Sequence, residues 1–319
     1  MAAWDVFKPE LLNQKVCRLL LGVHRKASRI AVLGELGRYP VFVRAITHAL
    51  KYEWHVENNT KKSSLVFKAY QEMKQMDDVE NGWFSRMKQL KLQLDIPVFK
   101  NNCKSETVGK KIKSIVESHF SNLWKQEVNL AKIGNDGLDH NTLRMYRTLK
   151  SSFTIEPYIQ QVLNRNQRAA ITRIRTSAHT LGVEQGRYTK PATPLNERLC
   201  KYCCKDTDKE SFINNVTDKE SFIDDEFHFL ITCKVFNTKR NCLFGKVSAF
   251  DKHFNNLTAQ QKMATLLCPS NINIAKLVNK FISIVFEARK RIDRGESMDL
   301  GYFTNNLNNS ALSDSSNDS

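Results

Sequence analysis

Apolar residues recur along most of this chain at intervals of three and four, the period of an amphipathic helix. Between residues 10 and 23 the stripe is Leu11, Val16, Leu19 and Leu20. A turn-rich patch with Gly34, Gly37 and Pro40 follows, and then Val43, Ile46, Leu50 and Trp54 recur at i, i+3, i+7 and i+11. Spans 61–76 and 81–94 carry shorter stripes, Leu65, Ala69 and Met73 in one and Trp83, Met87, Leu90 and Leu94 in the other. The longest predicted helix covers 106–133, with Val108, Ile112, Ile115, Val116, Phe120 and Leu123 on its apolar face. The run IGNDGLDH (133–140) reads as a loop. Short helices are predicted over 142–150 and 156–163, and a longer one from 165 to about 181 on which Ala170, Ile171, Ile174, Ala178 and Leu181 face one way. GRYTKPATP (186–194), with Pro191 and Pro194, reads as an extended linker. Helices are predicted again over 234–252 and 258–267. Pro269 and Ser270 open a last one with the stripe Ile274, Leu277, Val278, Phe281, Val285, Ala288, ending in the basic run Arg289-Lys290-Arg291. Residues 305–319 are Asn, Ser and Asp with almost nothing to bury, the composition of disorder.

The pattern therefore predicts a mainly α protein, and no apolar run in it approaches the length of a bilayer span. The start, MAAWDVFKPE, carries Asp5 and lacks the apolar run of a secretory signal, so an intracellular protein of nucleus or cytoplasm is expected. One internal repeat is exact: TDKESFI occurs at 207–213 and again at 217–223, a period of ten. It is too short and isolated for a solenoid, and reads as a tandem duplication within a loop, which costs little in closure entropy.

Two cysteine-bearing segments flank that duplication. RLCKYCC places Cys200 and Cys203 at C-x2-C spacing, and DDEFHFLITC places His228 and Cys233 at H-x4-C spacing. A C-x2-C turn lets two thiolates reach one ion, and about one turn of helix can aim an imidazole and a thiolate at the same point. Four such N and S donors suit a single structural zinc ion, with every position filled by protein. Cys204 is an alternative to Cys203, giving C-x3-C. The connection 204–227 is long for a knuckle, and without the ten-residue duplication it would be ordinary. Cys17, Cys103, Cys242 and Cys268 lie among apolar neighbours and read as packing residues.

Charge adds a second theme. Lys and Arg number 49 against 33 Asp and Glu, a net +16, which attracts polyanions and nucleic acid first among them. Residues 104–190 hold 15 Lys and Arg against 7 Asp and Glu, half of the excess. Within that span Arg165, Arg168, Arg173 and Arg175 lie along one predicted helix, with Arg187 and Lys190 beyond it. These six are the predicted nucleic-acid-binding residues, because guanidinium forks set along a helix can follow a phosphate backbone. A solvated helix face is the alternative reading. No phosphate-loop, nucleophile-elbow or zinc-protease motif occurs. Asp77-Asp78 lacks the strand context, preceding aromatic and upstream acid of a polymerase carboxylate pair, and Asp224-Asp225 reads as loop acid. No catalytic residue and no small-molecule substrate are predicted.

With these residues in place, a family resemblance follows. Residues 19–53 (LLLGVHRKASRIAVLGELGRYPVFVRAITHALKYE) resemble the segment that follows the palm in animal non-LTR (LINE-type) retrotransposon reverse transcriptase polyproteins. Residues 177–203 and 224–240 resemble their C-terminal part with its cysteine–histidine motif, in the same order. The resemblance implies a thumb-like helical region over 1–100, a basic helical region and linker over 101–195, a CCHC zinc knuckle with C-terminal helices over 196–298, and a disordered tail over 299–319. It carries Cys200, Cys203, His228 and Cys233 over as zinc ligands, while Cys204 and the duplication put the register of that set in question. Palm and endonuclease are missing, so the expectation is a non-catalytic fragment that binds RNA or DNA and no membrane. The alternative is a structural scaffold or inert transposon remnant in which zinc only stabilises the fold.

Overall fold

The computed structural model describes residues 7–76, 82–99, 103–134, 139–161, 164–203 and 222–296. Asp77, Asp78, Cys204, most of the duplication and the C-terminal tail lie outside these. Among the described residues the protein is helical, with isolated β-bridges in place of a sheet. In chain order the helices are α1 (Phe7–Leu21), α2 (Arg29–Glu35), α3 (Val41–Asn59), α4 (Leu65–Gln75), α5 (Trp83–Gln93), α6 (Ser105–Asn129), α7 (Arg144–Leu149), α8 (Pro157–Gln161), α9 (Arg165–Arg175) and α10 (Gly182–Gln185). After the cysteine-bearing segments come α11 (Asn237–Phe250), α12 (Ala259–Leu267) and α13 (Ile272–Asp293). No described helix is long and apolar enough to cross a membrane.

Two cores organise these helices. In the first, α3 and α6 lie together over Val43, Leu50, Trp54, Val108, Ile112, Val116, Phe120 and Trp124, with Met87 of α5 and Tyr146 of α7 closing it. The i, i+4 spacing along α6 from Val108 to Val128 sets one buried stripe down the whole helix. In the second, α9 packs along α13, and Ile171, Ile174, Ala275, Val278, Phe281 and Val285 meet there with Cys17 and Leu21 of α1 and with Phe229, Leu230 and Phe236.

Helix α2 belongs to both cores. Ala31 faces the first, while Val32 and Leu33 face the second. Trp124 Nε1 donates to Ile30 O at 3.0 Å, and the Tyr146 hydroxyl donates to Ala31 O at 3.2 Å. Both rings crowd Gly34, where a Cβ would stand 2.6 Å from Tyr146 Oη and 2.7 Å from Trp124 Cζ2. The turn-rich patch of the sequence thus contains a short helix whose glycine makes room for two aromatic side chains.

Several expectations change on folding. The α1 stripe is reversed: Leu11, Leu12, Val16, Leu19 and Leu20 are exposed, while Glu10, Asn13, Cys17 and Leu21 are buried. Glu10 is held inside because its carboxylate accepts the Val41 N–H at 2.8 Å, which is the otherwise orphaned first donor of α3. On α4, Leu65 and Met73 stay exposed and Tyr70 is the buried residue, its hydroxyl donating to Glu57 at 2.6 Å. The helix expected to run to about 181 stops at Arg175, because Ser177 takes a positive φ of 53° and the chain turns into α10. The segment 186–194 is a closed loop instead of an extended linker. Thr193 N–H returns to Gly186 O at 2.9 Å, and the Thr189 and Thr193 hydroxyls meet at 2.9 Å.

Candidate metal centre

The two cysteine-bearing segments are brought together by a short antiparallel bridge between Leu199 and Ile223. Cys200 N–H donates to Phe222 O and Asp224 N–H to Arg198 O, both at 2.8 Å. The C-x2-C turn therefore begins beside the residue from which the second segment sets off. Asp225 then caps that segment, its Oδ1 accepting the His228 N–H at 2.7 Å.

The H-x4-C spacing is resolved by an unusual turn. Residues His228–Thr232 form a π-helical turn closed by Cys233 N–H donating to His228 O at 2.8 Å. In an α-helix five residues rotate by about 500°, leaving positions i and i+5 about 140° apart. The wider i→i+5 turn brings them onto one side. Local backbone geometry is thus what turns H-x4-C into a pair of convergent ligands.

Four donor atoms, one each from Cys200, Cys203, His228 and Cys233, lie within 4.8 Å of one another. Cys203 Sγ stands 3.4 Å from His228 Nε2 and 3.4 Å from Cys233 Sγ. A tetrahedral zinc with Zn–S bonds of about 2.3 Å spaces its sulfurs about 3.7 Å apart, so the set is already near the required size. His228 Nδ1 shares a hydrogen bond with the Thr232 hydroxyl at 3.2 Å, which orients the ring with Nε2 toward the sulfurs. Cys200, Cys233 and His228 are buried and Cys203 is half-buried.

Protons are shared unevenly in this cluster. Hydrogen bonds from Cys200 and Cys233 hold the Cys203 thiol well below its ordinary range, and the bonds of Cys200 to Cys203 and Cys233, with burial, push Cys200 well above it. Burial opposes a charge on His228, yet its hydrogen bonds to the Cys203 and Cys233 sulfurs push it up to about 10. A bound divalent cation would displace these protons and hold three thiolates and one neutral imidazole, leaving the centre with one net negative charge.

That charge has a buried partner. Arg289 of α13 places Nη2 3.9 Å from Cys200 Sγ and pairs with Asp224 at 2.8 Å. Its guanidinium lies against the rings of Tyr202 and Phe229, 4.7 and 4.9 Å from their centroids. Arg240 of α11 fixes the π-turn from behind, donating to Leu230 O at 2.9 Å and Cys233 O at 2.7 Å. Sequence reading placed Arg289 in a basic run and Asp224 in a loop, yet both are buried. The spacing contains the signal: Arg289 stands four residues after Val285 and eight after Phe281, on the apolar face of its helix. Tyr202 and Phe229 are core residues of this region. The Tyr202 hydroxyl donates to Asp293, and Phe229 stacks on Phe286 at 4.9 Å.

The six predicted nucleic-acid residues separate on folding. Arg175 is fully buried, with Nη2 2.8 Å from Glu35 and 3.0 Å from Glu156 and Nη1 donating to Leu267 O. Arg168 is buried and donates to Leu20 O at 2.7 Å, while Arg173 donates to Gly22 O at 2.9 Å. These two cap the carbonyl end of α1. Arg187 pairs with Glu184 at 2.9 Å and donates to His140 O. Arg165 and Lys190 are exposed. Of the four arginines on α9, Arg168 and Arg175 are thus turned inward onto carbonyls and carboxylates of the protein itself, while Arg165 and Arg173 stay exposed, Arg173 using only its Nε–H on Gly22.

No family model, curated protein or solved structure matches the chain, so the clustered cysteines and histidine are what identify this site.

Proposed function

We propose that this chain is a non-catalytic nucleic-acid-binding protein, a fragment derived from a non-LTR retrotransposon reverse transcriptase polyprotein, whose C-terminal part is held by one structural zinc ion on Cys200, Cys203, His228 and Cys233. Four protein donors within 4.8 Å of one another support a metal ion wholly ligated by protein, the arrangement of structural zinc, since a catalytic ion keeps a position for water or substrate. The two sequence blocks, in their order, support the origin.

The binding role rests on where the charge lies. Among the described residues the buried acids are Glu10, Glu35, Glu53, Glu156, Glu184, Asp224 and Glu226, and the buried bases are Lys150, Arg168, Arg175, Arg198, Lys239, Arg240 and Arg289. These sets are equal in number and cancel, so among the described residues burial does not consume the excess of positive charge. A field of that sign at the surface draws phosphate polymers. The burial of Arg168 and Arg175 favours the scaffold reading for α9 alone.

The test is affinity of zinc-loaded protein for a labelled single-stranded RNA across a salt series. Binding is expected to weaken linearly in log–log form with a slope that reports several phosphates, at about 0.7 per phosphate on a single strand. Absence of binding at low salt would reject the nucleic-acid role and leave the scaffold.

A further inference from the structure

We propose that the cleft between α3 and α6 is the groove that takes the phosphate backbone of a single nucleic-acid strand. This rests on the nucleic-acid reading above and gives that reading a place, away from the arginine helix on which sequence reasoning put it.

The cleft has a volume of about 730 Å³, and Arg38, Arg44, His48, Lys51 and Lys113 line it against the single acid Glu117. Arg44, His48 and Lys51 stand at i, i+4 and i+7 on α3, one row about 10 Å long. Arg38 and Arg44 are exposed, and among the described residues Arg38, Arg44 and Lys51 form no ion pair. Lys51 lies across α6 at Gly109, where a Cβ would come within 3.3 Å of Lys51 Cε. The glycine leaves room for the lysine to reach along the cleft wall.

The surrounding segment is biased the same way. Residues 8–51 contain nine Lys and Arg and only two acids, Glu10 and Glu35. Both acids are turned inward, Glu10 to the Val41 N–H and Glu35 to Arg175. Nothing acidic in this segment is left to neutralise its surface cations.

The cleft also continues. A second hollow of about 400 Å³ runs on along α6, sharing Tyr39, Lys113 and Glu117 with the first and adding Lys110, Ser114, Ser118 and Asn122. Tyr39 forms a fixed floor between the two, its hydroxyl 3.3 Å from Ser121 and its ring packed on Phe120 and Phe153. Cations, hydroxyls and an amide spread along a channel, with Glu117 as the one acid, suit the repeating phosphates of a strand, whereas a lone phosphate would need one compact nest.

The test compares the full-length zinc-loaded protein with the variant R38Q/R44Q/K51Q, and with K252Q/K276Q/K290Q as a control of equal charge change on exposed lysines elsewhere. Each is titrated with labelled single-stranded RNA across a salt series, after circular dichroism and melting confirm the fold. The cleft variant is expected to lose on the order of tenfold or more in affinity and to show a salt slope shallower by about 2, while the control changes little. An unchanged slope in the cleft variant, or an equal loss in the control, would overturn the proposal while leaving the nucleic-acid role standing. Failure of the wild type to bind would instead reject that role. Inorganic phosphate at matched ionic strength is expected to compete no better than chloride, and a saturable phosphate effect abolished by the cleft variant would make this a free-phosphate site and reject the strand.

Discussion

The region built on α3, α5 and α6 and the region built on α9, α13 and the cysteine–histidine cluster are both helical and both basic in sequence, yet they use charge in opposite ways. The first closes over an apolar core and leaves Arg38, Arg44 and Lys51 outside without ion partners. The second draws its charges inward. Arg175 meets Glu35 and Glu156, Arg144 meets Glu184 and Glu226, and Arg289 meets Asp224 beside Cys200. A count of basic residues along a sequence cannot tell these cases apart. Burial decides whether a guanidinium is a structural fork or a surface for a partner.

The largest effect expected from breaking this contrast is loss of the metal ligands. Cys233→Ser removes one of the four clustered metal donors while leaving the backbone bond of the π-turn in place, and structural zinc contributes about 10–16 kcal/mol in isolated zinc-finger peptides. The expected result is a fall from one bound zinc per chain to none by elemental analysis, with loss of cooperative melting in the α9–α13 region. Next is the buried ion triad. Arg175→Met leaves Glu35 in the core without a cationic partner, while Glu156 keeps Lys150, and breaking such an arrangement costs about 3–5 kcal/mol, read as a lower urea midpoint. Adding Glu35→Gln to that variant should recover part of the loss, which a purely apolar core would not do.

In the first region the expected changes come from packing. Gly34→Ala drives a methyl into Tyr146 and Trp124 and should cost about 1–3 kcal/mol in chemical denaturation. A smaller effect is tied to pH. Although burial alone would raise it, Asp139 is lowered from 3.8 by the N–H groups of Lys132 and Asn141 and by Arg147. A folded value below the unfolded one adds stability that is complete above the unfolded value and disappears as pH falls through the folded one. Asp139→Asn should therefore destabilise at neutral pH, and the difference from wild type in urea midpoint should close as pH drops below about 3.8.

Much of the architecture is legible in the sequence. The stripes on α3, α6 and α13 are long and regular, and burial follows them except on α6, where Leu123 is exposed and the buried face runs on instead through Trp124 and Val128. The α1 stripe misleads because the helix is held through Glu10 and Asn13, polar residues that a hydrophobic pattern does not count. Helix α2 is hidden because seven residues with a glycine give too little periodicity to read. At the metal centre, Cys200, Cys203, His228 and Cys233 are readable from spacing alone. The burial of Arg289 is legible from its place on the apolar face of α13, but its meeting with Cys200 and the parts played by Arg240 and Thr232 are not, since each reaches the cluster through the tertiary fold or the π-turn.

On the proposed zinc reading, a bound ion holds the second region as part of its core, while the first stands on apolar packing and its own hydrogen bonds and needs no metal. Hydrogen–deuterium exchange of the zinc-loaded protein, with and without a chelator, tests this directly. Chelation is expected to strip protection from residues 195–203 and 222–293 and from α9, while the amides of α3 and α6 keep theirs. Unchanged exchange around Cys200 and His228 after verified zinc removal, or equal loss of protection in α3 and α6, would contradict it.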